Sequence, residues 1–508
     1  MDTWATSSVT PLLNTHLIIG LKPDSVAAAA SRRSESMEDG GKLPLPLNPP
    51  PLELPPPLNL PPPLELPPPL LDVAETLQRH NQLFPYDLRP QAHDIIRTWA
   101  FYTITKALYH FGSEQGADGK WHLITDEQKL RQALPWRDIV ISGHAQDAGH
   151  KKISKSKGHV VTPAQMVEKY TADGLRYWSS GCKLGTDTLY DEKLLGDGRR
   201  LITKLFNATK FALRHLLEFD PVALVGQASL VGRTCCPSSS AEDTDKMSVL
   251  PDTDRMSVPP ERNSVPPEEA LLPLVVYPTD RWILARLSET VARATKAQEE
   301  YEFGDAKQLA EDFFWADFCD NYLELSKGRL YGEPLALDAH GPASAHPYTP
   351  EELKASAQAA LFICLSAVLK LFAPLLPHIC EECWSWYFAQ WSGLRSIHEE
   401  SWPDSAALPA DEAAQAAGSA LVDTLALVRK FKSQANVSVK KPVTRILAYR
   451  TEQWKDDAYS AQLASVMGDL LATANAAAFE LADGAAPEFA ASLERSPLAV
   501  VCEMADEA

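Results

Sequence analysis

The chain has 508 residues, 45% hydrophobic and 23% charged, with a formal net charge of −19 at pH 7, enough for about three domains with cores of their own. A mean hydropathy of −0.20 and no apolar run long enough for a bilayer exclude a membrane protein, and so acidic a chain repels nucleic-acid phosphates at long range unless it carries a local basic face. Eight scattered cysteines are too few for a disulfide scaffold and suit a reducing compartment, so a cytoplasmic protein is expected.

In chain order, the first break is compositional. Of the 40 prolines, 14 lie between Leu43 and Leu71, in repeats of Pro-Pro-Pro-Leu-Glu/Asn-Leu. Such a unit lacks the amide hydrogens for helix or sheet and is expected to be extended and solvated. With the alanine- and serine-rich stretch from Ser25 it reads as an insertion, or as a ligand for proline-binding domains. From Asp94 to His110 the residues Ile95, Ile96, Trp99, Tyr102, Ile104 and Leu108 predict a largely buried helix. Asp138 to Ser142 is a short apolar run ending in Gly143, the pattern of a buried parallel strand feeding a loop. Pro163 to Tyr170 predicts a helix with Thr162 as its cap and proline first. Another helix is expected over Asp197 to Leu217. Residues 221–278 hold a duplicated polar unit, Asp-Thr-Asp-Lys/Arg-Met-Ser-Val, and read as disordered. From Asp280 the spacing is helical for well over a hundred residues, with breaks at Pro374 and Pro377. Leu421 to Lys432 and the alanine-rich Ala458 to Leu481 also predict helices. The expected fold is an α/β piece followed by an α-helical bundle.

The segment Lys151-Lys152-Ile153-Ser154-Lys155-Ser156-Lys157-Gly158 packs four lysines and two serines into seven residues, between a strand end and a helix start. Phosphate chemistry uses such a group: ammonium groups neutralise charge building on oxygens, while hydroxyls and amides hold position. The glycine allows close approach or a swing of the loop. A solvated basic loop is the alternative.

Lys152-Ile153-Ser154-Lys155-Ser156 resembles the Lys-Met-Ser-Lys-Ser signature of class I aminoacyl-tRNA synthetases, with isoleucine for methionine. The stretch Arg89-Pro90-Gln91-Ala92-His93-Asp94-Ile95-Ile96-Arg97-Thr98-Trp99-Ala100-Phe101-Tyr102 is similar to one typical of valyl-tRNA synthetases. Asp2-Thr3-Trp4-Ala5 and the segments 139–158, 168–187 and 428–443 are similar to that family too.

The resemblance implies the second half of a class I nucleotide-binding, Rossmann-like fold followed by an all-α anticodon-binding bundle. It implies activation of valine by ATP, with its Mg2+, to valyl-adenylate, and transfer to tRNA(Val). Lys155 would contact the phosphates and stabilise departing pyrophosphate, with Lys152, Ser154 and Ser156 shaping the same loop. Gly143 and His144 match a segment beside the adenine. Trp4, Ile95 and Trp99 match walls of the valine pocket, although periodicity alone would make Ile95 and Trp99 core. On this reading residues 1–24 are a catalytic segment, 25–71 an insertion and 72–196 the second catalytic half. A connecting helix spans 197–220, the disordered insertion 221–278, the anticodon-binding bundle 279–402 and a helical or α+β region 403–508.

The family's His-Ile-Gly-His signature has no counterpart; His16-Leu17-Ile18-Ile19-Gly20 is only superficially like it. The first half-fold and the editing domain are absent as well, so a truncated chain is expected, with the N-terminal half of the enzyme as a candidate partner. His159 stands where the family usually has asparagine. Two stretches without acids suit phosphate contact: Arg199 to Arg214, with Arg199 and Arg200, and Thr424 to Thr451, with Arg429, Lys430, Lys432, Lys440 and Lys441. His378-x-Cys380-x-x-Cys383 offers three metal ligands, but a structural zinc needs a fourth, so no metal site is expected and a buried helical turn is the preferred reading. A tRNA-binding module or an inactive fragment, with no activation chemistry of its own, is the competing account of the whole chain.

Overall fold

A computed structural model describes residues 82–147, 149–153, 163–221, 268–333, 335, 347–454, 457–494 and 496–504. Trp4, Ser154, Lys155, Ser156, the expected cap Thr162, and both repeats lie outside these residues. The chain divides into two compact units, Met1–Lys152 with Leu184–Leu189, and Ile153–Lys183 with Tyr190–Ala508.

In the first unit, β1 (Tyr86–Ala92) runs parallel to a strand reached through a helix and a hairpin. After β1 the chain turns through a tight 3-10 turn (His93–Ile95) and a wide π turn (Ile96–Ala100) into α1 (Phe101–Phe111). The hairpin of β2 (Ser113–Gln115) and β3 (Trp121–Leu123) follows, then α2 (Glu127–Gln132), whose cap Asp126 accepts from the Lys129 amide. β4 (Trp136–Ser142) then pairs with β1 in parallel, from Tyr86↔Trp136 to Ala92↔Ser142. The expected parallel strand is present, but it is not buried: only Trp136 and Val140 of β4 are covered. The expected helix is likewise not largely buried, since Ile96 and Tyr102 are 43% and 41% exposed. The cause is common to both. The buried cluster here is Trp99, Ala100 and Trp136, and among the described residues a sheet of two strands covers one face only. A short parallel pair, β5 (Ala145–Gln146) with β6 (Thr188–Leu189), completes this unit.

The second unit opens with α3 (Pro163–Ser180), proline at its first position, and α4 (Glu192–Leu216), which is capped by Asp191 and begins five residues before the expected Asp197. Next come α5 (Pro278–Glu299), α6 (Phe303–Asp312), a wide helical segment Phe313–Tyr322, α7 (Pro350–Phe372), α8 (Pro377–Ser385) and α9 (Glu412–Gln434). Thr349 and Glu352 form a reciprocal capping box at the start of α7. By length and composition α7 could cross a bilayer, which corrects the expectation that no such run exists; 89% of its apolar window is buried inside the protein. It is apolar all round because it is surrounded all round. Cys380 and Cys383 sit on α8, fully buried against the same core, a packed helical turn.

Beyond α9 the chain is α+β, and the helix expected over Ala458 to Leu481 is broken. After β7 (Val443–Arg450), α10 (Ala458–Ala464) and α11 (Met467–Ala474), the chain turns into β8 (Phe479–Ala482), β9 (Ala491–Ser492) and β10 (Leu498–Met504), ordered β8-β7-β10-β9. Alanine favours helix, yet Asn475 at φ 52° ends α11 and Phe479 pairs beside Ile446 of β7.

One buried polar network ties this unit together. Arg329 donates from Nη1 and Nη2 to Asp280 at 2.6 and 2.9 Å and from Nε and Nη2 to Asp469 at 3.0 Å each. The Tyr322 and Ser356 hydroxyls donate to Asp280 at 2.8 and 2.6 Å.

Candidate functional site

β1 and β4 end side by side at Ala92 and Ser142. In open parallel sheets ligands bind outside such carboxyl ends. His93 leaves β1 and His144 leaves β4, and their rings lie 4.3 Å apart between centroids. Between β4 and His144 only glycine fits: a Cβ on Gly143 would stand 1.9 Å from the Thr186 carbonyl oxygen. That close backbone approach is sealed by Gly185 N–H donating to Ile141 O and Thr188 N–H to His144 O, both at 2.8 Å. The Asp187 carboxylate accepts from the His144 amide and from Gln146 Nε2, each at 2.7 Å. Those bonds, the His144 amide foremost, hold its carboxyl below the usual range.

Lys152 reaches the same end of the sheet through a tight turn. Asp147 Oδ1 accepts from the amides of Gly149 and Lys151 at 2.8 and 3.0 Å, and its own N–H donates to Lys151 O at 2.8 Å. The turn brings Lys152 opposite Gln146 in an antiparallel bridge. Lys152 Nζ then donates to Asp94 Oδ2 at 3.0 Å, and this bond holds the Asp94 carboxyl below its ordinary value. Both side chains are about half exposed, so the pair contributes roughly 0–1 kcal/mol and an arriving anion can displace Asp94 at little cost.

Of the expected site residues, the structure therefore gathers Gly143, His144 and Lys152 at one strand end, with Ile95 next to Asp94. Trp99 is buried, stacked on Trp136 at 5.8 Å with the Arg89 guanidinium 3.4 Å from its ring centroid; its partner Ile95 is half-buried beside it. His93, Asp94, Gln146 and Asp187 were not anticipated from the sequence. For His93 and Asp94 a signal existed, as polar residues directly after a strand. Asp187 is brought in only by tertiary pairing.

The basic stretches fare differently in space. On α4, Arg199 and Arg200 are exposed and line a groove of about 410 Å³ with Gly196, Thr203, Lys204, Asn207 and Trp315. Lys204 Nζ is 5.2 Å from the Trp315 ring centroid and 3.7 Å from Asp320, and Arg200 pairs with Asp197. Cations beside a partly open aromatic face suit phosphates flanking an unstacked base. In the second stretch, Lys432 is a correction. It is buried, and Nζ donates to the carbonyls of Val439, Lys441 and Ala474 at 2.8 Å each. An ammonium has three protons, so nothing remains for RNA. Arg429 donates to Asn321 and to Asp320 O, and Lys430 to Ser492 O; Lys440 is exposed and Lys441 half-buried. Among the described residues no cluster of His, Cys, Asp or Glu is arranged to hold a metal.

Comparison with known proteins gives two domain matches. Residues 70–191 match the tRNA synthetases class I (I, L, M and V) family, and residues 280–447 match the anticodon-binding domain of tRNA ligase. A valine–tRNA ligase of Rickettsia felis is 32% identical over 444 residues, covering 87% of this chain and 37% of that protein. One of Rickettsia typhi is 35% identical over 373 residues, 73% of this chain and 36% of that protein. The chain thus spans well under half the length of the relatives it matches. Among solved structures, a LeuRS of Agrobacterium radiobacter K84 in a ternary complex with tRNA and LeuAMS covers 64% of this chain and 30% of its own, at 15% identity and a TM-score of 0.38. That likeness is too loose to carry an argument.

Proposed function

We propose that the chain, which is similar to class I tRNA synthetases and among them to valine–tRNA ligases, supplies the lysine-signature side of the adenylate-forming site and the RNA-binding bundle of a valine–tRNA ligase. The reaction is activation of valine by Mg·ATP to valyl-adenylate, releasing pyrophosphate, followed by transfer of valine to tRNA(Val) in the cytoplasm. One observation carries this reading: Gly143, His144 and Lys152 converge at the carboxyl end of a parallel strand pair, and Lys152 opens the Lys-Ile-Ser-Lys-Ser segment.

The chemistry asked of these residues is electrostatic. As the bond between the α- and β-phosphates breaks, negative charge grows on the leaving pyrophosphate, and the ammonium groups of Lys152 and Lys155 stabilise it more than they stabilise ATP. Lys152 exchanges Asp94 for a phosphate oxygen. Ser154 and Ser156 orient the same segment. Gly143 lets the Thr186–Asp187 backbone close on the strand end, which sets His144 where a planar base would lie beside it. Trp4, Ile95 and Trp99 offer the isopropyl group of valine only shape and dispersion. The remaining partner is the half of the nucleotide-binding fold that carries the His-Ile-Gly-His signature. Exposed Phe101, Tyr109, Trp121 and Leu123 on the first unit are the apolar surface such a partner would cover.

The Arg199–Arg200–Trp315 groove supports a second reading, an RNA-binding module without activation chemistry. Valine-dependent exchange of pyrophosphate into ATP separates the two. The isolated chain is expected to show none, and exchange abolished by Lys155→Ala would refute the module reading. RNA binding is shared by both. Arg199→Gln with Arg200→Gln is expected to weaken binding of a tRNA(Val) transcript and to lower the slope of log affinity against log salt by roughly two. Unchanged affinity and slope would remove the groove from the interface.

A further inference from the structure

Helix α3 is continuous in outline but is built as two pieces. At Thr171 the backbone has φ 71° and ψ 163°, a region that only glycine occupies without strain. Its Oγ1 accepts the Gly174 amide at 3.2 Å, the bond of a residue that starts a new helix.

The two pieces are held by contacts of different kinds. Residues 172–180 are clamped. The break between α7 and α8, at Pro374 to Pro377, leaves orphan carbonyls on one side and orphan amides on the other. Arg176 donates to the carbonyls of Pro374 and Leu375 at 2.6 and 3.2 Å. Buried Asp173 accepts the amides of His378 and Ile379 at 3.3 and 2.8 Å. Tyr177 adds a third tie: its hydroxyl donates to Glu311 at 3.2 Å, Lys307 Nζ lies 3.8 Å from its ring centroid, and its ring packs on Gly198. Residues 163–170 bury Met166 and pair with one exposed acid, Glu192, which accepts from Lys169 at 2.7 Å and Tyr170 at 2.8 Å. Salt screens such a pair. Tyr190 donating to Met166 Sδ at 2.8 Å is a bond to a weak acceptor.

We propose that Thr171 is a pivot within the fold. Asp173 and Arg176 are positioning residues that fix 172–180 to the proline break, and 163–170, the element that follows the lysine–serine signature in sequence, moves about Thr171. Its functional sense rests on reading that signature as the phosphate-contacting loop: a segment that engages ATP and then releases pyrophosphate needs a compliant stem on an anchored base.

Hydrogen exchange read by mass spectrometry on the full chain tests this without nucleotide or RNA, so it stands or falls separately from the proposed activity. Asp173→Asn is expected to speed exchange about tenfold or more at His378, Ile379 and across 172–180, with 163–170 unchanged. Glu192→Gln is expected to do the reverse, speeding 163–170 alone. If either substitution moves both pieces together, α3 is one rigid helix and the proposal is wrong. Thr171→Gly guards against a variant that does not fold. In a continuous helix glycine destabilises, whereas at a pivot of this geometry the melting temperature is expected to hold or rise; a clear fall would overturn the pivot.

Discussion

Arg329→Met is expected to cost the helical unit about 3–5 kcal/mol, the usual loss when one partner of a buried ion pair is removed. The guanidinium is fully buried between two fully buried carboxylates, Asp280 from α5 and Asp469 from α11. It is the counter-charge for both, so methionine leaves two carboxylates facing one another without water. Burial already pushes the Asp469 carboxyl above its ordinary value, with Arg329 opposing that rise; the variant removes the opposition. A carboxyl whose folded pKa exceeds its unfolded value of about 3.9 is penalised increasingly as pH rises between the two. The deficit of the variant should therefore be smaller near pH 5 than at pH 7.5. Adding Asp469→Leu to Arg329→Met should recover part of the loss, since apolar replacement of a buried charge can be neutral or better. Urea melts of the single and double variants at the two pH values measure all of this. An Arg329→Met midpoint equal to that of the parent chain would show that the network does not hold the unit together.

Much of the helical unit was legible because its signals are local and periodic: proline opening α3, α5, α7 and α8, and apolar residues at helical spacing from Asp280 onward. The strand before Gly143 was legible for the same reason, a short apolar run with a glycine stop. The failures are all non-local. Ala477 to Leu481 has helical composition, and its strand conformation comes from pairing with β7. The stretch 424–451 is free of acids in sequence but not in space, where Arg445 meets Glu480 and Glu503. Lys432 looks like any surface lysine until three carbonyls converge on it. Asp187 lies 43 residues from His144 and has no periodic context. The motif match located the lysine segment and Gly143. The carboxylates that hold Lys152 and His144 in place emerged only from the fold.

The second large effect concerns the lysines themselves. A charge-assisted hydrogen bond contributes about 1.5–3 kcal/mol, and each 1.4 kcal/mol is a factor of ten in affinity. Lys152 is half exposed and held by a single weak acid pair, so little of that gain is spent on freeing it. Lys155 lies three residues further on in the same signature. Calorimetric titration of Mg·ATP into the full chain at low salt, repeated with Lys152→Ala and Lys155→Ala, is the most direct test of the reading. Each substitution is expected to weaken binding about tenfold to a hundredfold, with melting behaviour unchanged. Equal affinity in the parent chain and both variants would contradict the claim that these ammonium groups meet the phosphates.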